Sequence, residues 1–243
     1  SVYYTNLQRV NEWAYQKSLE KVGKPVDKTK WGMSPQTVNA YYNPLYNEIV
    51  FPAAILQPPF FNFEADPAVN FGGIGAVIGH EMTHGFDDQG RRFDASGNLD
   101  SWWTEEDEAR FKERSERMMQ YFDGMEVMPG ACINGKQTLG ENLGDNGGLN
   151  IAWDAFQLSM AKKVLPHKDG FTPQQRFFLS FALNYAGSMR EETLKNSVKA
   201  DVHVPSKQRV NGSLPHIDGW YEAFHIKQGD RLWLDPEERV RLW

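Results

Sequence analysis

Two histidines four residues apart, with a glutamate directly after the first, constrain this 243-residue chain more than any other feature: His80-Glu81-Met82-Thr83-His84. On a helix, positions i and i+4 share a face, so both imidazoles point the same way with Glu81 beside them. Such a pair can hold Zn²⁺ with one coordination position left for water, and the glutamate can take that water's proton as it attacks a carbonyl. Five positions with three fixed also arise by chance on an ordinary amphipathic helix. The motif therefore needs support from elsewhere in the chain.

Support lies downstream, where Glu141 and Asp145 are again four apart and share a helical face. Glu141 completes a His₂Glu set, giving one Zn²⁺ per chain held by His80, His84 and Glu141. Asp145 can accept the second ring N–H of one zinc histidine, and Asp87, three residues after His84, that of the other. The competing reading makes these carboxylates members of solvated helix faces and leaves their offsets to coincidence. A third histidine ligand is excluded by position: the pattern that supplies one has His where Gly90 stands and Gly where Asp87 stands.

Composition narrows the partners. Lys plus Arg number 26 against 32 Asp plus Glu, a formal net charge of −6, so no electrostatic footprint for nucleic acid is present. No run approaches the ~20 apolar residues of a membrane helix, and Ser1-Val2-Tyr3-Tyr4 is not a signal peptide. With 40% hydrophobic and 13% aromatic residues, the chain can bury one core, consistent with a single domain over 1–243. A lone Cys132 excludes an internal disulfide framework and reads as a buried or inert thiol.

The pattern of elements is α+β, mainly α. Residues 3–22 read as a helix, and residues 37–42 and 48–51 as a hairpin across Asn43-Pro44-Leu45-Tyr46-Asn47. That hairpin is either a plain core element or an edge to which an extended peptide can add. Gly72, Gly73 and Gly75 lack the following Lys-Ser or Lys-Thr of a phosphate loop and predict close backbone packing. Thr104 caps a helix whose first turn holds Glu105, Glu106 and Asp107. A long helix is expected over 141–164, ended by Pro166. Gly147 and Gly148 inside it cost roughly 1 kcal/mol each relative to Ala, which a close helix approach near the metal would explain. Thr172-Pro173-Gln174-Gln175 opens another helix, to about residue 189, with a capping box.

These residues resemble the neprilysin and endothelin-converting enzyme family of zinc endopeptidases. The resemblance is carried by Val38-Asn39-Ala40-Tyr41-Tyr42, Ile49-Val50-Phe51-Pro52-Ala53, Leu56-Gln57-Pro58-Pro59-Phe60-Phe61, Phe71-Gly72-Gly73-Ile74-Gly75, the two metal motifs, Asp201-Val202-His203 and Arg241-Leu242-Trp243. It implies a thermolysin-like zinc peptidase core with a small hairpin or sheet beside the metal helix, and cleavage of peptides on the amino side of hydrophobic residues. It further implies that Asn39 and Ala40 hold substrate backbone, and that Phe60, Val77 and Tyr185 line the pocket for the side chain after the cut bond. His203 would stabilise the oxyanion and Arg209 would bind a backbone carbonyl. From spacing alone those last two are solvated loop groups. Tyr185 stands where the family usually has Trp, which leaves pocket size open, and Val240 where animal members have Cys, which points to a bacterial-type member. Family members are longer, with an N-terminal helical domain over the cleft, and many are anchored or exported. The expectation is thus the C-terminal catalytic part of a longer extracytoplasmic protein, partnered by its own N-terminal domain or a dimer mate. The alternative is an inactive fragment that binds peptides through the hairpin edge.

Overall fold

The computed structural model describes residues 2–242; Ser1 and Trp243 lie outside the described residues. Residues up to Gly32 form one compact unit and those from Met33 a second. The first contains helix α1, Val2–Leu19, none of whose residues is buried. It stops short of the expected residue 22 because Lys21 and Val22 bond back three residues rather than four, tightening the chain into Gly23 at φ 75.

The second unit opens with an antiparallel hairpin of β1, Tyr41–Asn43, and β2, Glu48–Val50, in register Tyr41 to Val50 and Asn43 to Glu48. Its turn is set by Asn43 Oδ1, which accepts from Leu45 N, and by Asn47 in the left-handed region. Pairing does not reach residues 37–40, because β2 runs into Pro52, which has no N–H, and Ala54 N is bonded to Pro35 O.

Helix α2, Pro67–Asn70, is capped by the Asp66 side chain and runs through a π-helical turn, Phe71–Gly75, into α3, Ala76–His84. A Cβ on Gly72 would strike the Phe177 carbonyl and one on Gly73 the Phe60 carbonyl, so the glycines permit close packing as expected. Helix α4, Glu105–Phe122, starts at Thr104, whose Oγ1 accepts from Asp107 N at 3.1 Å. A second antiparallel pair follows, β3, Glu126–Met128, with β4, Ala131–Cys132. Along β4 and the residue after it, alternation puts Ala131 and Ile133 in the core and Cys132 out, so the thiol is exposed rather than buried.

Helix α5, Leu139–Met160, is the axis of the unit: every residue from Asn142 to Asn150 is buried. Helix α6, Pro173–Asn184, carries the Thr172–Gln175 capping box. Helices α7, Glu191–Ala200, α8, Ser206–Ser213, and α9, Asp218–Phe224, complete the unit. One core cluster joins Leu149, Trp153 and Phe156 of α5 to Phe177, Phe178 and Phe181 of α6 and Trp220 of α9. A second joins Phe111, Met118 and Phe122 of α4 to Leu143, Val204 and Leu242. Helices α3 and α5 cross at glycines: a Cβ on Gly79 would lie 2.6 Å from Gly148 O, and one on Gly148 would lie 2.7 Å from Ala76 O. Backbone meets backbone there, one residue before His80.

Candidate metal centre

Helix periodicity puts His80 and His84 on the face of α3 turned to the first turn of α5, which carries Glu141. One nitrogen of each imidazole and one oxygen of Glu141 all lie within 4.8 Å of one another. The outer nitrogens are already occupied. His80 Nδ1 is 2.9 Å from Asp145 Oδ1, and His84 Nδ1 is 2.7 Å from Asp87 Oδ2. Both carboxylates need the ring proton on Nδ1, which leaves each Nε2 with its lone pair facing the centre. Asp87 is itself fixed, its Oδ1 accepting from Gln89 N at 2.8 Å and Gly90 N at 2.7 Å.

Glu141 Oε2 is buried and makes no well-aligned hydrogen bond, although His80 Nε2 lies 3.2 Å and His203 Nε2 3.0 Å away. Two imidazoles, His80 and His84, and a carboxylate with one buried oxygen left unpaired are the donor set that Zn²⁺ takes, and the residues fit that ion. In the metal-free protein the same crowding holds protons. Burial works against a charged His80 ring, but Asp145 and Glu141 outweigh it and raise its pKa to about 9. Burial likewise opposes ionisation of Glu141, yet the adjoining His203 and His80 imidazoles hold its carboxyl far below the usual range.

Asp145 is the most heavily bonded carboxylate of the site. Behind His80 it is 3% exposed and accepts Arg209 Nε at 2.7 Å, Arg209 Nη2 at 2.5 Å and the Tyr185 hydroxyl at 3.3 Å. The Arg209 guanidinium also lies 4.6 Å from the centroid of the Tyr185 ring. Glu81 is buried, and that burial pushes its carboxyl above the ordinary glutamate range against the pull of His80 and His84.

A cleft of about 710 Å³ opens over this centre. Its walls bring together Asn39, Phe60, Val77, His80, Glu81, His84, Asp87, Glu141, Tyr185, His203 and Arg209. Ala40 is not on that wall; it is buried with Ile55 and Ile74. The profile of peptidase family M13 matches residues 39–240. The chain belongs to peptidase family M13. Neprilysin-3 of Drosophila melanogaster is 43% identical over all of this chain and 31% of its own length, and neprilysin of Homo sapiens 42% over 99% and 32%. The zinc metalloprotease Zmp1 of Mycobacterium tuberculosis, solved with an inhibitor, superposes with TM-score 0.94 at 46% identity over 98% of this chain and 37% of that one. The chain thus spans about a third of the length of the curated relatives it matches.

Two groups in this M13 site escaped the sequence reading as site residues. Asp201 accepts from His203 N at 2.9 Å and sits 2.8 Å from His203 Nδ1, so it turns His203 Nε2 toward Glu141. Its signal was an Asp two residues before the His, the spacing of an Asx turn. Asn184 also lines the cleft, and nothing in the sequence singled it out.

Proposed function

We propose that this chain carries the peptide-cleaving centre of a zinc endopeptidase or oligopeptidase that cuts on the amino side of hydrophobic residues. The observation that carries the reading is the convergence of His80, His84 and Glu141 with both outer imidazole nitrogens already held by carboxylates. Bound Zn²⁺ would polarise the scissile carbonyl and lower the pKa of a water toward ~7.

The chain's own groups do the rest. Glu81 accepts the proton of the attacking water and returns it to the departing amine; its upward-shifted pKa suits both directions of transfer. His203, steadied by Asp201, is the donor for the developing oxyanion. Arg209 has Nε and Nη2 committed to Asp145, so the Nη1 edge is the one that reaches a substrate carbonyl. Asn39 and the Ala40 backbone run into β1, where an extended peptide adds along the hairpin. Phe60 and Val77, packed against Ile55 and Ile74, supply the apolar wall for the residue after the cut bond.

Among the described residues, no helix is long and apolar enough to cross a membrane. The likeness to neprilysins supports a full-length protein that works outside the cytoplasm on peptides, its cleft closed by an N-terminal helical domain or a dimer mate. The test is hydrolysis of an internally quenched peptide with and without a zinc chelator, followed by zinc add-back, beside Glu81→Gln. Chelator-sensitive cleavage lost in Glu81→Gln is expected. Peptide binding with no turnover by the zinc-loaded wild type would replace this reading with a peptide-binding module.

A further inference from the structure

The wall proposed to receive the side chain after the cut bond is not wholly apolar. Asn184, the last residue of α6, lines the cleft beside Tyr185, Phe60 and Val77. Its Nδ2 donates to Gly73 O at 3.1 Å. A carbonyl only accepts, so that bond settles which end of the carboxamide is nitrogen. Oδ1 is then left buried with no hydrogen-bond partner among the described residues.

A structural role explains the nitrogen but not the oxygen. Tying α6 to the π-helical turn at Gly73 uses Nδ2 alone, and an unpaired buried amide oxygen costs stability that an apolar residue would not. Two other unpaired buried acceptors belong to residues of the same cleft: Glu141 Oε2 is accounted for by the ion, and Asp88 Oδ1 belongs to a carboxylate whose second oxygen accepts from Gln89 Nε2. Asn184 Oδ1 has no such account.

Resting on the peptidase reading above, we propose that Asn184 is a specificity-determining residue, whose Oδ1 accepts a hydrogen bond from the tip of the substrate side chain following the cut bond. The pocket then selects an aromatic body with a donor at its edge, Tyr or Trp, over Phe or Leu. Phe60 and Val77 favour the apolar ring, and the Arg209 guanidinium over Tyr185 disfavours a cationic tip. A site built to accept a hydrogen bond discriminates against the analogue that lacks the donor, because its own polar group then stays unpaired.

The experiment measures binding by fluorescence anisotropy to zinc-loaded Glu81→Gln protein, using matched peptides that differ only in Tyr, Trp, Phe or Leu at that position. Tyr and Trp peptides are expected to bind about tenfold more tightly than Phe. Adding Asn184→Val should abolish that preference while keeping the Phe peptide bound. Equal binding of Tyr and Phe peptides without the Asn184 change would overturn the proposal, and so would a preference that survives Asn184→Val. The first comparison needs no Asn184 variant, so a misfolded variant cannot shield the idea. Because the readout is binding, absence of turnover by the wild type would sink the peptidase reading separately.

Discussion

Replacing Gly148 by Ala adds one methyl at the α3–α5 crossing, and two effects of opposite sign compete. In a helix interior the change by itself stabilises by about 1 kcal/mol. Here the new Cβ would strike His80 N and would lie 2.7 Å from Ala76 O and 2.8 Å from His80 Cα, where ordinary contact begins at 3.4 Å. Both neighbours are backbone, so no rotamer relieves the overlap, and the helices must part by more than half an ångström. Overpacking of this kind costs about 1–3 kcal/mol, with more where backbone must move. We expect the overlap to win, with a net loss of about 1–3 kcal/mol and a melting temperature lower by roughly 2–10 °C. His80 travels with α3 and Glu141 with α5, so the same displacement should weaken zinc about 10- to 100-fold, the range seen when supports of a metal ligand are removed. Calorimetry and chelator competition read the two effects, and Gly187→Ala, with nothing within 4 Å of the added Cβ, is the control. A Gly148→Ala protein as stable and as zinc-retentive as wild type would refute the crossing as the constraint.

Glu141→Ala should weaken zinc retention in a chelator titration at least as much, since it removes a ligand; unchanged affinity would take Glu141 out of the coordination set. Glu81→Gln should keep zinc and melting temperature while turnover falls at least a hundredfold, the amide being unable to take the water's proton; near-normal turnover with zinc bound would exclude it as the base. Zinc affinity measured against pH should climb steeply up to about 9, because His80 is held up to about that value without metal and must release its proton to coordinate; a flat profile between pH 6 and 9 would contradict it. His216 is pushed the other way, to about 4, first by burial and then by the Arg239 charge, and its Nδ1 accepts from Val240 N. The folded state therefore binds fewer protons than the unfolded one between pH 6.5 and 4, so stability present above 6.5 drains away through that window. Thermal melts should show the loss, and His216→Asn should flatten it.

Spacing made the convergence of His80, His84 and Glu141, with Asp87 and Asp145 behind the rings, legible, because i, i+4 neighbours on a helix project alike whatever surrounds them. Capping was equally local: Thr104 and the Thr172–Gln175 box start their helices where the residues say. Helix ends were not local. Helix α6 stops at Asn184 rather than near residue 189 because the next residues are taken by the site, Asn184 by Gly73 O and Tyr185 by Asp145. Helix α5 extends only to Met160, short of residue 164, where Ser159 Oγ bonds the Phe156 carbonyl and the chain turns before Pro166. The Asp145–Arg209 pair spans α5 and α8, and no periodicity within either stretch announces it. The need for Gly148 was visible; that its neighbour is the backbone of the metal helix itself was not.

That neighbour has a bearing on which ions the site can hold. The ligand-bearing helices are in backbone contact, so the gap between the imidazole pair and the carboxylate has a hard stop rather than a spring. Contraction around a smaller ion would have to come from rotation of the Glu141 side chain alone, while the two imidazoles stay braced by Asp145 and Asp87. Co²⁺, close to zinc in radius and at home with imidazole and carboxylate, needs no such adjustment. Ion size, not only ligand chemistry, is thereby written into a crossing of two glycines.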